Sequence, residues 1–203
     1  RGGALAVDQY VGDPLEAIDR AGQLAVELED PGLMAMVEFG RIAMNTVLAD
    51  AQTLPAINDL EQLLRLYEQD GELMNIAHTQ VMLSELYIAH GDPGGARRWV
   101  IAGIETAERA GDTYTMTWAL HRYAIAAIEL GDVVPGARIA AASAEARARA
   151  GGTFPPPFFP IGEPEDRAIA ALGEAAAEAA FAEGRELSVF EAVALARETA
   201  ATS

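Results

Sequence analysis

Apolar side chains recur along this chain at the three- and four-residue spacing of a helix face, and glycine interrupts them at regular intervals. Leu83, Leu86 and Tyr87 make one such face, Gly91 stops it, and Ala96 and Val100 begin the next. The strict alternation of a half-buried strand appears nowhere, so the pattern predicts an all-α fold. The stops are themselves periodic. Gly71, Gly111 and Gly151 lie 40 residues apart, with Pro31-Gly32 where the preceding stop is due. Ala51, Gly91 and Gly131 form a second series at the same spacing, with Gly12-Asp13 one step earlier. Prolines follow this second series at Pro14, Pro55, Pro93 and Pro135. Proline suits the first turn of a helix, and an aspartate before it can cap that helix, as in Asp13-Pro14 and Asp92-Pro93. The spacing predicts pairs of helices, each of about 15–18 residues, over 31–70, 71–110 and 111–150, with a truncated unit over 1–30. Small residues at Ala56, Ala96 and Gly136 are expected where paired helices cross closely. A loop rich in proline and phenylalanine (151–163) then precedes capping helices over 164–203, which brings the expected total to about nine helices.

Leu83, Ser84, Tyr87, Gly91, Ala96 and Val100 stand in the order and at the offsets of a tetratricopeptide repeat, which they resemble. Tyr123, Ala124, Ala127, Gly131, Gly136 and Ala140 follow the same order more loosely one unit later, and Ala43, Met44, Val47, Ala51, Ala56 and Leu60 one unit earlier. The period of 40 exceeds the usual repeat of about 34. The resemblance implies a right-handed superhelical solenoid of antiparallel helix pairs. In the tail, Leu172-Gly173-Glu174, Phe181-Ala182-Glu183-Gly184-Arg185 and Leu187-Ser188-Val189-Phe190-Glu191-Ala192-Val193 look like the C-terminal region of large bacterial ATP-binding (STAND-type) transcription regulators of the LuxR-type and antibiotic-regulatory kind. In that group an ATPase module precedes a helical-repeat arm, and DNA-binding modules sit at one end of the chain. The resemblance therefore implies a sensor or regulatory arm that engages a protein partner, or its own ATPase and DNA-binding modules.

Composition narrows the chemistry. There are 42 Ala, no Cys and no Lys, and all 14 basic residues are Arg. Without cysteine there is no disulfide framework, zinc finger, iron–sulfur cluster or thiol nucleophile. Without lysine there is no Walker-type phosphate loop, Schiff-base lysine or Ser–Lys dyad, so the ATPase activity of the resembling family cannot be carried onto these residues. The net charge of −17 is spread evenly along the chain and opposes direct nucleic-acid binding. No apolar run approaches the ~20 residues of a bilayer span, and no leader is apparent, so a cytoplasmic protein is expected. Abundant Ala, Arg and Gly without Lys fit a bacterial gene of high G+C content, and a start at Arg1 rather than Met is expected of a piece of a longer protein.

Several groups invite chemistry and have plainer roles. His90, just before Gly91, complements a helix C-terminus. A metal site of His78, Glu85 and His121 is imaginable, but the histidines fall in different rows of the array. The many carboxylate pairs read as solvated faces, and Gly91-Asp92-Pro93-Gly94-Gly95 joins two helices rather than forming a phosphate loop. Arg138, Arg147 and Arg149 are expected to make intramolecular or partner contacts. Trp99 is expected to pack between helices, and Ser188 with Glu191 to form a capping box on the last helix, which closes the array with a polar face.

No catalytic residue, cofactor or metal is expected. If first helices line a concave groove, the 40-residue period aligns Glu38, His78 and Trp118 in one row, Arg41, Val81 and His121 in the next, and Asn45, Glu85 and Ile125 in a third, bordered by Met82 and Arg122. Val81 and Ile125 serve equally well as packing residues. A mixed polar groove with one tryptophan suits a peptide or a small polar effector, and Arg41 and Arg122 could hold a carboxylate or phosphate. The expected function is a non-catalytic interaction module of a bacterial transcriptional regulator. The alternatives are a stand-alone scaffold or an enzyme accessory domain, with a carboxylate hydrolase a distant third.

Overall fold

The computed structural model describes residues 14–29, 53–151 and 161–202 without a break, together with 33–34, 37–38, 40–42 and 44. Every regular element in them is helical; among the described residues there is no strand. The helices with complete bounds are α1 (Pro14–Glu27), α2 (Thr53–Asp70), α3 (Leu73–Ala89), α4 (Pro93–Ala110), α5 (Thr113–Glu129), α6 (Val133–Arg149), α7 (Pro164–Leu172), α8 (Glu174–Arg185) and α9 (Val189–Thr202). The described residues between 33 and 44 are helical as well. Of the earliest repeat match, Ala43, Val47 and Ala51 lie outside the described residues, as does the loop over 152–160. Among the described residues no helix is long and apolar enough to cross a membrane.

Turns of two or three residues join α3 through α6, and a glycine followed by an acid builds each of them. Gly111 sits at φ 68°, where any side chain would be strained. Its amide donates to the Glu108 carbonyl at 3.1 Å, and the Asp112 amide reaches back to Ala107 at 2.9 Å, a Schellman closure. The Asp112 carboxylate then turns forward and accepts from the Thr115 amide at 3.0 Å, capping α5. Gly91 and Asp92 repeat this, with Asp92 accepting from the Gly95 amide at 2.8 Å and Pro93 opening α4. One dipeptide thus ends a helix and starts the next, leaving no length for anything but an antiparallel hairpin.

Small residues set how closely the hairpins pack. A Cβ on Gly136 would meet Ile128 Cγ1 at 2.7 Å, and one on Gly103 would meet Val81 Cγ2 at 2.9 Å. Ala56 and Ala96 are both buried, and Trp99 lies half-buried against the same core. Helices pack on their neighbours in sequence from α2 to α6, and α3 also touches α5 directly. The C-terminal helices fold back: α7 and α8 pack on α6, and α9 lies against α4, α5 and α6. Consequently α5 is enclosed all round, with every residue from Thr115 to Ile128 buried. That stretch contains His121 and Arg122, whose polar atoms must find partners inside the protein.

Candidate functional site

Those partners form a chain of polar contacts running from the interior to the surface. Glu85 on α3 and Arg122 on α5 are 1% and 2% exposed. Arg122 Nε donates to Glu85 Oε2 at 3.1 Å. Arg122 Nη2 lies 3.0 Å from the same oxygen but off the hydrogen-bonding direction, so Nε carries the bond. Arg122 Nη1 donates to His121 Nδ1 at 2.9 Å, and His121 Nε2 lies 3.0 Å from Glu163 Oε2, just before α7. A guanidinium can only donate, so Nδ1 accepts and the neutral imidazole keeps its proton on Nε2, directed at Glu163.

Electrostatics keeps His121 neutral. Burial, and next the Arg122 charge, hold its pKa down to about 4 against the opposing pull of Glu163. Burial also lowers the Arg122 pKa, which the Glu85 carboxylate counters. Glu165, half-buried on the first turn of α7, is raised by burial and by the nearby Glu163 charge, while Arg147 pulls it down. The Arg147 charge also bears on His121 and Arg122.

Among the described residues, His121, Glu163 and Glu165 present ligand atoms within 4.8 Å of one another, the spacing a metal ion would need. The tautomer works against them: Nε2 carries a proton toward Glu163, and two arginines share the neighbourhood. The imagined trio of His78, Glu85 and His121 is not brought together on one ligand, since each member has its own partner. His78 lies 3.7 Å from Asp112 Oδ2 and meets Trp118 edge to face, with ring centroids 5.9 Å apart. Burial lowers the His78 pKa, and Asp112 opposes that.

Of the expected groove residues, Met82, Glu85, Trp118, His121 and Arg122 lie in the interior, none more than 4% exposed. The cause is the enclosure of α5, which no period in its own sequence reports. Trp118 Nε1 is buried without a hydrogen-bond partner. Glu38, Arg41 and His78 remain open to solvent, and Asn45 lies outside the described residues. Arg41 pairs with Asp19 at 2.5 Å and lies 3.5 Å from Glu38, which raises its pKa. These three side chains line an open cleft of about 700 Å³ with Val26 and Met34.

The basic group in the tail of the hairpins is spent internally. Arg138 pairs with Glu183 and Arg149 with Glu145, while Arg147 belongs to the surroundings of His121. Sequence reasoning did not find Glu163 or Glu165 beside His121. Glu163-Pro164 reads as a helix start, but nothing in that dipeptide tells which distant side chain its carboxylate meets. Comparison of the chain with models of protein families, with curated proteins and with solved structures finds no match.

Proposed function

We propose that this chain is a non-catalytic interaction module, a tetratricopeptide-like arm that lets a bacterial transcriptional regulator in the cytoplasm sense a protein partner or a small polar effector. The observation that carries the reading is the direct contact of α3 with α5, the first helices of consecutive hairpins. Side-by-side first helices are what make a superhelical array present one continuous face, and such faces bind rather than catalyse. The open first-helix positions Glu38, Arg41 and His78 give the accessible part of that face a polar character. Glu85, His121 and Arg122 are buried and matched to one another and to Glu163, an arrangement suited to holding α3, α5 and the start of α7 in register.

The test uses the open positions of the same face in the full-length regulator. Replacing Glu38, Arg41 and His78 together with alanine should keep the helicity, with at most a small drop in melting temperature from the lost His78–Trp118 and Arg41–Asp19 contacts. Effector response or partner binding should fall about tenfold or more, the scale of losing one or two charge-assisted contacts. The reading fails if response stays intact while charge reversals at exposed second-helix positions, Arg98→Glu and Glu105→Arg, abolish it.

A further inference from the structure

Two helical stretches at the start of the chain meet over only part of their length. Asp19, Gly22, Val26 and Glu27 fall on one stripe of α1 at three- and four-residue spacing. Met34, Val37, Glu38 and Arg41 fall on one stripe of the helical residues between 33 and 44. Arg41 pairs with Asp19, and a Cβ on Gly22 would meet Val37 Cγ1 at 3.3 Å. Numbers rise along one stripe as they fall along the other, so the two run antiparallel and the same register sets Val26 opposite Met34. There the contact is open: Val26 is 62% exposed and Met34 38%, and both line the cleft of about 700 Å³. Leu28 and Leu33, exposed as well, lie between these two in the chain.

The charges at this end have one sign. From Val26 to Met34 the sequence holds three acids and no base. Glu27 is the last residue of α1 and Glu29 follows closely, both are exposed, and neither pairs with a cation among the described residues. The last turn of α1 has no basic residue, so its carboxylates add to the negative end of the helix dipole, and a cation placed there is stabilised by both. Arg41 stands at the far end of the cleft, engaged by Asp19 and Glu38. A second copy of this chain would bring like charges together here, and the net charge of −17 repels anionic lipid and nucleic acid as well. Apolar side chains rimmed by carboxylates are complementary to an amphipathic helix whose apolar face is flanked by arginine or lysine.

We propose that the Val26–Met34 end of this cleft docks a cationic amphipathic helix of a partner protein. The apolar face of that helix lies on Val26, Leu28 and Met34, and its basic flanks meet Glu27 and Glu29. The site rests on the reading of the chain as an interaction module and gives its partner a chemistry.

The experiment is a titration of the 203-residue chain against fluorescein-labelled peptides about 18 residues long, read by anisotropy. The probe peptide carries leucine on one helical face and arginine on both flanks. One control scrambles the same composition, and a second keeps the leucine face but replaces arginine with glutamate. The probe should bind at least about tenfold more tightly than either control, and more weakly as salt is raised. Val26→Gln with Met34→Gln removes apolar surface without changing charge and should weaken the probe about tenfold. Glu27→Gln with Glu29→Gln should weaken it about threefold and flatten the salt dependence. The proposal is overturned if the scrambled peptide binds as tightly as the probe, or if Val26→Gln with Met34→Gln leaves the affinity unchanged. If circular dichroism shows that this pair has lost helicity, the glutamate pair decides, and an unchanged affinity and salt dependence there overturn the proposal. It is overturned too if sedimentation shows self-association that Val26→Gln with Met34→Gln abolishes, since a second copy then covers the face. The response of the full-length protein to the Glu38, Arg41 and His78 substitutions does not require a cationic partner, so the two readings fail separately.

Discussion

His121 is a base kept neutral in the interior, and that has a consequence for stability. Its folded pKa of about 4 lies below the ordinary value of 6.5. Above pH 6.5 neither the folded nor the unfolded chain protonates this ring, so it contributes nothing to pH dependence. Between pH 6.5 and about 4 the unfolded chain takes up a proton that the folded chain refuses, so stability falls as the pH falls through that window. His78, lowered by burial, adds to the slope in the same direction. Urea unfolding at a series of pH values should show the decline, and His121→Gln should flatten part of it without removing the His78 share. An unchanged slope in His121→Gln would mean that the ring is charged inside the protein. The other half of the polar chain follows the same logic: Glu85 and Arg122 are tolerable in the interior only together, because either alone would be an uncompensated buried charge.

Helix crossings are governed by where a side chain ends at hydrogen, and the glycines of this chain differ sharply in that respect. A Cβ on Gly184 of α8 would collide with the backbone carbonyl of Arg138 on α6, which cannot move without breaking its own helix. A Cβ on Gly40 would meet nothing within 4 Å, and its backbone is helical. Gly184→Ala should therefore cost about 1–3 kcal/mol by overpacking, whereas Gly40→Ala should gain on the order of 0.5–1 kcal/mol of helix propensity. Equal melting temperatures for the two variants would show that α8 does not cross α6 closely. At this scale much of the fold was readable. The stops at Gly71, Gly91, Gly111, Gly131 and Gly151 are all left-handed, and Ser188 and Glu191 make both bonds of the capping box, at 2.8 and 3.2 Å. Those features are local, set by residues within a turn of each other. The crossing at Gly184 was not readable, because it depends on a partner 46 residues away that shares no period with it. The candidate site divides the same way. That Glu85, His121 and Arg122 share a face follows from the 40-residue alignment, but their burial and the arrival of Glu163 depend on how the tail folds back.

The tail is part of the core rather than an appendage to it. Ala192, Val193 and Ala196 of α9 belong to the same apolar cluster as Leu60 and Leu64 of α2, so one core joins α2–α6 to α9, while the buried residues of α7 and α8 form a second cluster with Ile128, Ala137 and Ala141. Polar contacts fasten α9 as well. The Tyr123 hydroxyl, inside α5, donates to the Ala196 carbonyl at 2.7 Å, and Arg197 pairs with Glu108 of α4 at 2.7 Å. Burial raises the Tyr123 pKa to about 12, so the hydroxyl stays protonated and acts as a donor at any ordinary pH. Removing residues 189–203 would uncover the apolar surface that α9 covers and would take away that acceptor. The lost hydrogen bond is worth about 1 kcal/mol, and the three apolar side chains add their own transfer free energy. Tyr123→Phe in the full chain, by contrast, deletes the donor and leaves the packing, and should cost only about 1 kcal/mol. Thermal unfolding of the two variants separates the possibilities. If α9 is integral, the truncated chain melts well below Tyr123→Phe, and its single transition shifts as a whole because α9 shares one core with α2–α6. If α9 were only a polar cover on the end of the array, the truncated chain would melt no lower than Tyr123→Phe, and the shared core of α2–α6 and α9 would be disproved.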